Sequence, residues 1–286
     1  MSVKTKIQWC DSTVNPTMGC EGCEIWGPQR KTCYAGTLHV RFGGATPGYS
    51  PSFDVVTQFP GRMREAASWP DLRGKARAEK PWLNGLPRII FVSDMSDSLS
   101  ATVPFEYLRD EIIANVRTEP GQRHQWLWLS KRPDRMAKFS RWLGLQGISW
   151  PPNLWAGTSL TAQATTSRIK SLVQVGDERT IHFLSVEPQV EPIDLLPWLP
   201  RIDWVIHGGE SGRGARPFDL SWARSLISQC ATLGVPYFLK QLGSNVVESG
   251  EKLFFKDNHA GDWEEWPEAV QARQIAKIYK AVNHLA

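Results

Sequence analysis

Ile89-Ile90-Phe91-Val92-Ser93-Asp94-Met95-Ser96-Asp97 sets the pattern for the whole chain. Four consecutive apolar residues read as a strand buried on both faces, and the polar string after them as the loop at its C-terminal end. The pattern recurs five times. Gln125-Trp126-Leu127-Trp128-Leu129 runs into Ser130-Lys131-Arg132-Pro133, and Leu154-Trp155-Ala156-Gly157 into Thr158-Ser159-Leu160. His182-Phe183-Leu184 leads to Ser185-Val186-Glu187-Pro188. Trp204-Val205-Ile206-His207 leads to Gly208-Gly209-Glu210-Ser211-Gly212, and Tyr237-Phe238-Leu239 to Lys240-Gln241.

Helical spacing fills the intervals. Phe105, Leu108, Ile112, Ile113 and Val116 mark one face over 104–118; Ile169, Leu172 and Val173 mark another within 161–175. Over 220–233, Leu220, Ala223, Leu226, Ile227 and Cys230 share a face, so Cys230 is expected as a packing residue. With a first strand near Thr13 to Thr17, seven strand–helix units predict an α/β fold built on a parallel sheet. A parallel β/α barrel, complete or partial, fits 286 residues, since such barrels take about 250. No linker divides the chain, so 1–286 is expected as one barrel domain. Residues 243–286 form its C-terminal extension, with a helix expected over Ala269, Val270, Ile275, Ile278, Tyr279 and Val282.

Composition narrows the class. Apolar residues make up 41% of the chain, and no run is long enough to span a membrane. The start leads straight to Trp9 and Cys10 with no signal-like apolar stretch, so the reducing cytoplasm is the expected compartment. The net charge of +4 permits nucleic-acid contact without demanding it. Arg62, Arg64, Arg73, Lys75, Arg77, Lys80 and Arg88 form a basic segment, either a solvated helical surface or a phosphate-binding patch. Fourteen tryptophans are scattered along the chain, which fits cores and loops better than base stacking.

Four of the five cysteines fall within the first 33 residues: Cys10, Cys20, Cys23 and Cys33. An odd total in a reducing compartment argues against a disulfide framework, and clustered thiolates there read as metal or cluster ligands. Gly19 and Gly22 precede two of them and let the backbone turn tightly. A structural zinc would take four ligands, with Cys10 as the fourth. An iron–sulfur cluster on three cysteines would leave one iron open. Thiolate preference alone does not separate the two.

The polar residues collect at C-terminal strand ends, the rim where parallel barrels place their active sites. Asp94, Asp97, Lys131, Arg132, Thr158, Ser159, Ser185, Glu187, His207, Glu210, Lys240 and Gln241 would converge there, together with the cysteine loop after the first strand. Gly208-Gly209-Glu210 offers either a tight turn or backbone amides aimed at a ligand. Lys131 and Arg132 suit a carboxylate or phosphate. His207 reads as a core histidine.

Thr5-Lys6-Ile7-Gln8-Trp9, Asn15-Pro16, Gly19-Cys20, Cys23 and Cys33-Tyr34-Ala35, with the blocks around Asp94, Lys131, Glu187 and Gly208, resemble a three-Cys-motif family of phages and bacteria. That family is in turn similar to radical S-adenosylmethionine enzymes. The resemblance spans most of Thr5 to Gly243. It implies a 4Fe–4S cluster on Cys20, Cys23 and Cys33, with S-adenosylmethionine on the open iron. Tyr34, Asp94, Ser159, Gly208, Gly209 and Glu210 would bind the cofactor, and Lys131 and Glu187 would be catalytic. An external electron donor is implied. The cysteine spacing here is x2 then x9, where such enzymes usually have x3 then x2, which makes Cys10 the reserve for Cys23. Some phage members look like aminomutases that isomerise glycinylthymidine in DNA hypermodification, so DNA or a modified nucleotide is the expected substrate, with its base flipped into the mouth. Radical repair of DNA lesions is the alternative in the same chemistry. A zinc-stabilised nucleic-acid-binding protein without catalysis is the alternative of another class.

Overall fold

The computed structural model describes residues 1–44 and 46–278. Seven strands form one sheet: β1 (Ser12–Val14), β2 (Ile89–Val92), β3 (Gln125–Ser130), β4 (Leu154–Leu160), β5 (His182–Val186), β6 (Trp204–Gly208) and β7 (Tyr237–Gln241). Their order in the sheet is their order in the chain, and every neighbouring pair is parallel. The architecture is α/β, with the sheet curled into a half-barrel. Among the described residues β1 and β7 do not pair, so the barrel is partial.

Alternation along each strand divides the core in two. Phe91, Leu127, Trp155, Phe183, Trp204 and Phe238 point to the concave side, where Trp9 and Cys10 fill the centre. Ile90, Val92, Trp126, Trp128, Leu184, Val205 and Leu239 point outward to the helices. These are α1 (Tyr34–Phe42), α2 (Arg62–Ala67), α3 (Phe105–Leu108, widening to a π-turn at Arg109–Ile113 and ending at Ala114–Val116), α4 (Pro133–Gly144), α5 (Ile169–Leu172) and α6 (Leu220–Thr232). Trp9, Trp126, Trp128, Trp155 and Trp204 are fully buried. An indole that leaves water contributes roughly 5 kcal/mol before entropy is counted, more than the 1–3 kcal/mol of stacking on a base. These five are core residues. Cys230 lies in the outer core on α6, and burial pushes its thiol up to about 12.

Two expectations are corrected. The basic segment is not one continuous cationic face, because Arg62, Arg77, Lys80 and Arg88 turn inward onto carbonyls and the Asp11 carboxylate. Lys80 Nζ donates to the carbonyls of Thr5, Ile7 and Cys10 at 2.6–2.7 Å. Arg77 grips Asp11 at 3.0 and 3.2 Å, and Arg88 donates to Pro70 O and Ser12 Oγ. Arg62 reaches the Asn15 and Gly48 carbonyls, which leaves Arg64, Arg73 and Lys75 exposed. Those loops fill the gap where further barrel strands would stand.

The expected C-terminal helix is the second correction. Trp263–Glu265 and Glu268–Val270 are single 3-10 turns, and 271–278 is not helical. The segment instead runs antiparallel to β7, with Leu239 N–H donating to Ala272 O and Gln274 N–H to Tyr237 O. An exposed sheet edge has backbone donors to satisfy, and here that demand outweighs helical apolar spacing. Tyr279 and Val282 of the expected helix lie outside the described residues. No helix among the described residues is long and apolar enough to cross a membrane.

Candidate active site

The mouth of the half-barrel is built from strand ends, and the cysteine loop (residues 20–33) lies across it. Cys20, Cys23 and Cys33 share one small apolar cluster with Met18, Trp26, Phe53 and Met95. Cys33 stands at the N-cap of α1 without a side-chain cap bond, with the Ala35 and Gly36 amides near its sulfur and the Gly22 amide near that of Cys20. Burial pushes Cys20 up to about 11, with Asp97 adding to the rise, against the pull of the Gly22 amide and Arg132. Burial likewise raises Cys33, against those amides and the nearby Lys131 ammonium. Gly19 sits at φ +88°, and a Cβ there would lie 2.2 Å from Val55 O, so the turn into the loop admits only glycine.

Polar contacts tie this loop and the start of α1 to the rim. Arg132, just past β3, reaches Cys20 Sγ at 3.9 Å, Gly22 O at 3.1 Å and Glu21 at 3.6 Å, while holding Asp97 at 3.1 Å. Arg168 and Thr161, after β4, bind Glu24 at 2.8 and 3.3 Å. Glu21 accepts from the amides of Ala101 and Thr102 at 2.9 and 3.1 Å. The Tyr34 hydroxyl donates to the Asp94 carbonyl, after β2.

Each sequence-derived site residue has a defined place. Asp94 accepts from Asn15 Nδ2 at 2.5 Å, and burial raises its carboxyl despite that bond. Tyr34 is 51% exposed, yet the charges of Asp94 and Glu187 reach its phenol, as expected of a ring at an open mouth. Ser159 closes β4, where its carbonyl accepts from Arg168. Lys131 stands beside Cys33 and Glu24. Glu187, one residue past β5, pairs with Lys240 of β7. Gly209 bonds Gln241 through both its N–H and its carbonyl, and a Cβ there would lie 2.0 Å from Leu242 O. Close strand approach therefore accounts for that glycine. Glu210 is held by Arg216 at 2.8 Å; burial opposes its charge, but Arg216 keeps the carboxyl below its usual range. His207 faces α6, bonded to the Tyr237 hydroxyl, and burial lowers it to about 3.

Cys10 is not with the trio. It is fully buried in the concave aromatic cluster, and burial raises its thiol. A four-cysteine site on Cys10, Cys20, Cys23 and Cys33 is therefore not assembled. Among the described residues no three His, Cys, Asp or Glu side chains form a group that would hold a single metal ion. The donor set does fit an iron–sulfur cluster held by three thiolates. Backbone amides lie near two of its sulfurs, two cations stand near them to offset thiolate charge, and apolar side chains surround them.

Asn15, Glu21, Glu24 and Arg168 were not singled out from sequence as site residues. The available signal was two acids inside a cysteine loop, which need cationic partners once they are half-buried. A separate cavity of about 670 Å³ opens between α1 and residues 51–54, lined by Trp26, Lys31, His39, Val40 and Asp54, outside the mouth.

A family model described as a protein of unknown function (DUF5131) matches residues 4–277. No curated protein and no solved structure matches the chain.

Proposed function

The chain belongs to the DUF5131 family of proteins of unknown function, and we propose that it is a radical S-adenosylmethionine enzyme. Cys20, Cys23 and Cys33 would hold a 4Fe–4S cluster. The chemistry such a group supplies when bound is one-electron cleavage of S-adenosylmethionine to a 5′-deoxyadenosyl radical. One observation carries the reading: a three-cysteine loop and the helix start beside it are bonded to residues that follow three different strands at the mouth of a parallel half-barrel. A purely structural metal loop has no need of that placement.

The chain's own residues do the rest. Arg132 and Lys131 offset the negative charge of the sulfurs. Trp26, Phe53 and Met95 exclude water from them. The aromatic floor of Trp9, Trp155, Trp204 and Phe238 closes the mouth from below, so that a reactive species is kept from solvent. Tyr34, Asp94 and Ser159 line the side nearest the loop and are the cofactor contacts of this reading, with the Gly208 backbone opposite. Gly209 and Glu210 support that wall from behind, because their polar groups already have partners. Glu187 stands in the mouth next to Lys240, where it meets substrate. The substrate of this reading is an amino-acid-modified thymidine in phage DNA, isomerised by moving its glycyl group from nitrogen to carbon attachment. An external donor supplies the electron.

Anaerobic purification tests the proposal. A brown protein with about four irons per chain, yielding 5′-deoxyadenosine with dithionite and S-adenosylmethionine, is the expected outcome. Cys33→Ala should lose both iron and product. A colourless protein holding one zinc would overturn the reading.

A further inference from the structure

Lys240 and Glu187 come from strands that are not neighbours: β6 lies between β5 and β7. Adjacent strands stand about 4.8 Å apart, so the two backbones are separated by roughly twice that distance. Two features let the side chains meet. The residue between them, Gly208, carries no side chain. The β6–β7 register slips between Leu239 and Gln241, leaving Lys240 as the extra residue of a bulge. Bulges re-aim side chains, often beside active sites.

The resulting ion pair is only partly withdrawn from water, with side chains 22% and 17% exposed. Among the described residues Lys240 Nζ makes one bond, to Glu187 Oε1. Two ammonium donors and the second carboxylate oxygen are left to face the mouth. A half-buried ion pair adds little to stability, so fold alone does not account for it. The pair also sits at the right depth: the Lys240 charge reaches Cys10 in the floor, and the Glu187 charge reaches Tyr34 beside the cysteine loop.

We propose that Glu187 and Lys240 form a charge clamp for a substrate carrying an ammonium and a carboxylate a few bonds apart, that is, an α-amino-acid group. The carboxylate binds Lys240 and the ammonium binds Glu187, so one internal pair is exchanged for two charge-assisted ones. This rests on the reading of the mouth as the substrate site and deepens it by naming the group recognised and the residues that select it.

Binding tests it without turnover. The full-length purified protein is titrated with three probes: 5-(carboxymethylaminomethyl)-2′-deoxyuridine, its methyl ester, and thymidine. The acid should bind at least about tenfold more tightly than the ester, one order of magnitude being a modest return for a charge-assisted contact. Lys240→Met should reduce the acid to the level of the ester. Glu187→Gln should bring the ester down to thymidine, while the acid keeps the part of its advantage that comes from Lys240. Since a single variant leaves the other charge unpaired, Glu187→Met/Lys240→Met serves as the folded control and should bind all three probes alike. Equal binding of the probes by the unaltered protein, no binding of any, a Lys240→Met variant that keeps the acid-to-ester ratio, or a Glu187→Gln variant that still prefers the ester to thymidine would each overturn the clamp. None of these readouts depends on iron or on 5′-deoxyadenosine, so a failed clamp and a failed radical enzyme are told apart.

Discussion

Arg132 divides its guanidinium among the Asp97 carboxylate, the Gly22 carbonyl and the Cys20 sulfur, with Glu21 in reach. Asp97 is buried and also accepts from Ser130 Oγ at 2.8 Å and the Lys131 amide at 3.2 Å. Arg132→Met would strand that carboxylate. Removing one partner of a buried pair costs 3–5 kcal/mol; the surviving bonds to Ser130 and Lys131 bring the expected loss to about 2–3 kcal/mol. A urea titration reads it as a lower midpoint. Arg132→Lys should recover only part, because a point ammonium cannot bridge the two sides as a planar fork does. Iron per chain should fall with Arg132→Met as well, and an unchanged midpoint with unchanged iron would show that Arg132 holds nothing in place.

At the scale of the element, the cysteine loop hangs on acid–base contacts, and these respond to pH. Burial would raise Glu24, but the paired bonds from Arg168 draw it down to about 2, against an ordinary value of 4.5. A depressed carboxyl contributes stability that is fully present above the unfolded value and lost as pH falls toward the folded one. The attachment of the loop should therefore weaken between about pH 4.5 and 2. Tryptophan fluorescence during acid titration, dominated locally by Trp26 in the loop, should show that transition; Glu24→Gln should abolish it, leaving the loop looser at neutral pH. This contact was hidden in the sequence, since Glu24 and Arg168 lie 144 residues apart and nothing local pairs them. The strands were legible for the opposite reason. A strand buried on both faces must be apolar at every position, so Ile89–Val92 and Trp204–His207 announce themselves locally. The polar rim followed from where those runs stop. Arg77 and Lys80 were misread because the Asp11 carboxylate and the Thr5, Ile7 and Cys10 carbonyls that draw them inward belong to a segment far away in sequence, a demand that composition does not display.

Over the whole molecule, a sheet that stops at half a barrel has two open edges, and an unpaired edge is a template for association with another chain. Both are covered. Near the N-terminus Ser2 pairs antiparallel with Thr13, and Thr5 N–H donates to Asp11 O, so β1 is sheathed. On the far side residues 272–274 lie along β7, held by Arg273. Its guanidinium stacks against Trp82, Phe238, Trp263 and Trp266 at 4.4–5.7 Å and donates to the carbonyls of Leu239, Lys240 and Gly261. Burial among those rings lowers its pKa to about 10, still well above neutrality, so the cation is retained. Because Arg273 binds the carbonyls on either side of the bulge that aims Lys240, edge and mouth share one support. Arg273→Ala forfeits desolvated cation–π contacts and three hydrogen bonds, an expected loss of about 3 kcal/mol. Two readouts should move together: a lower Tm, and concentration-dependent growth in light scattering as β7 is uncovered. A variant with a lower Tm that stays monomeric at every concentration would mean that the strap adds packing but does not guard the edge.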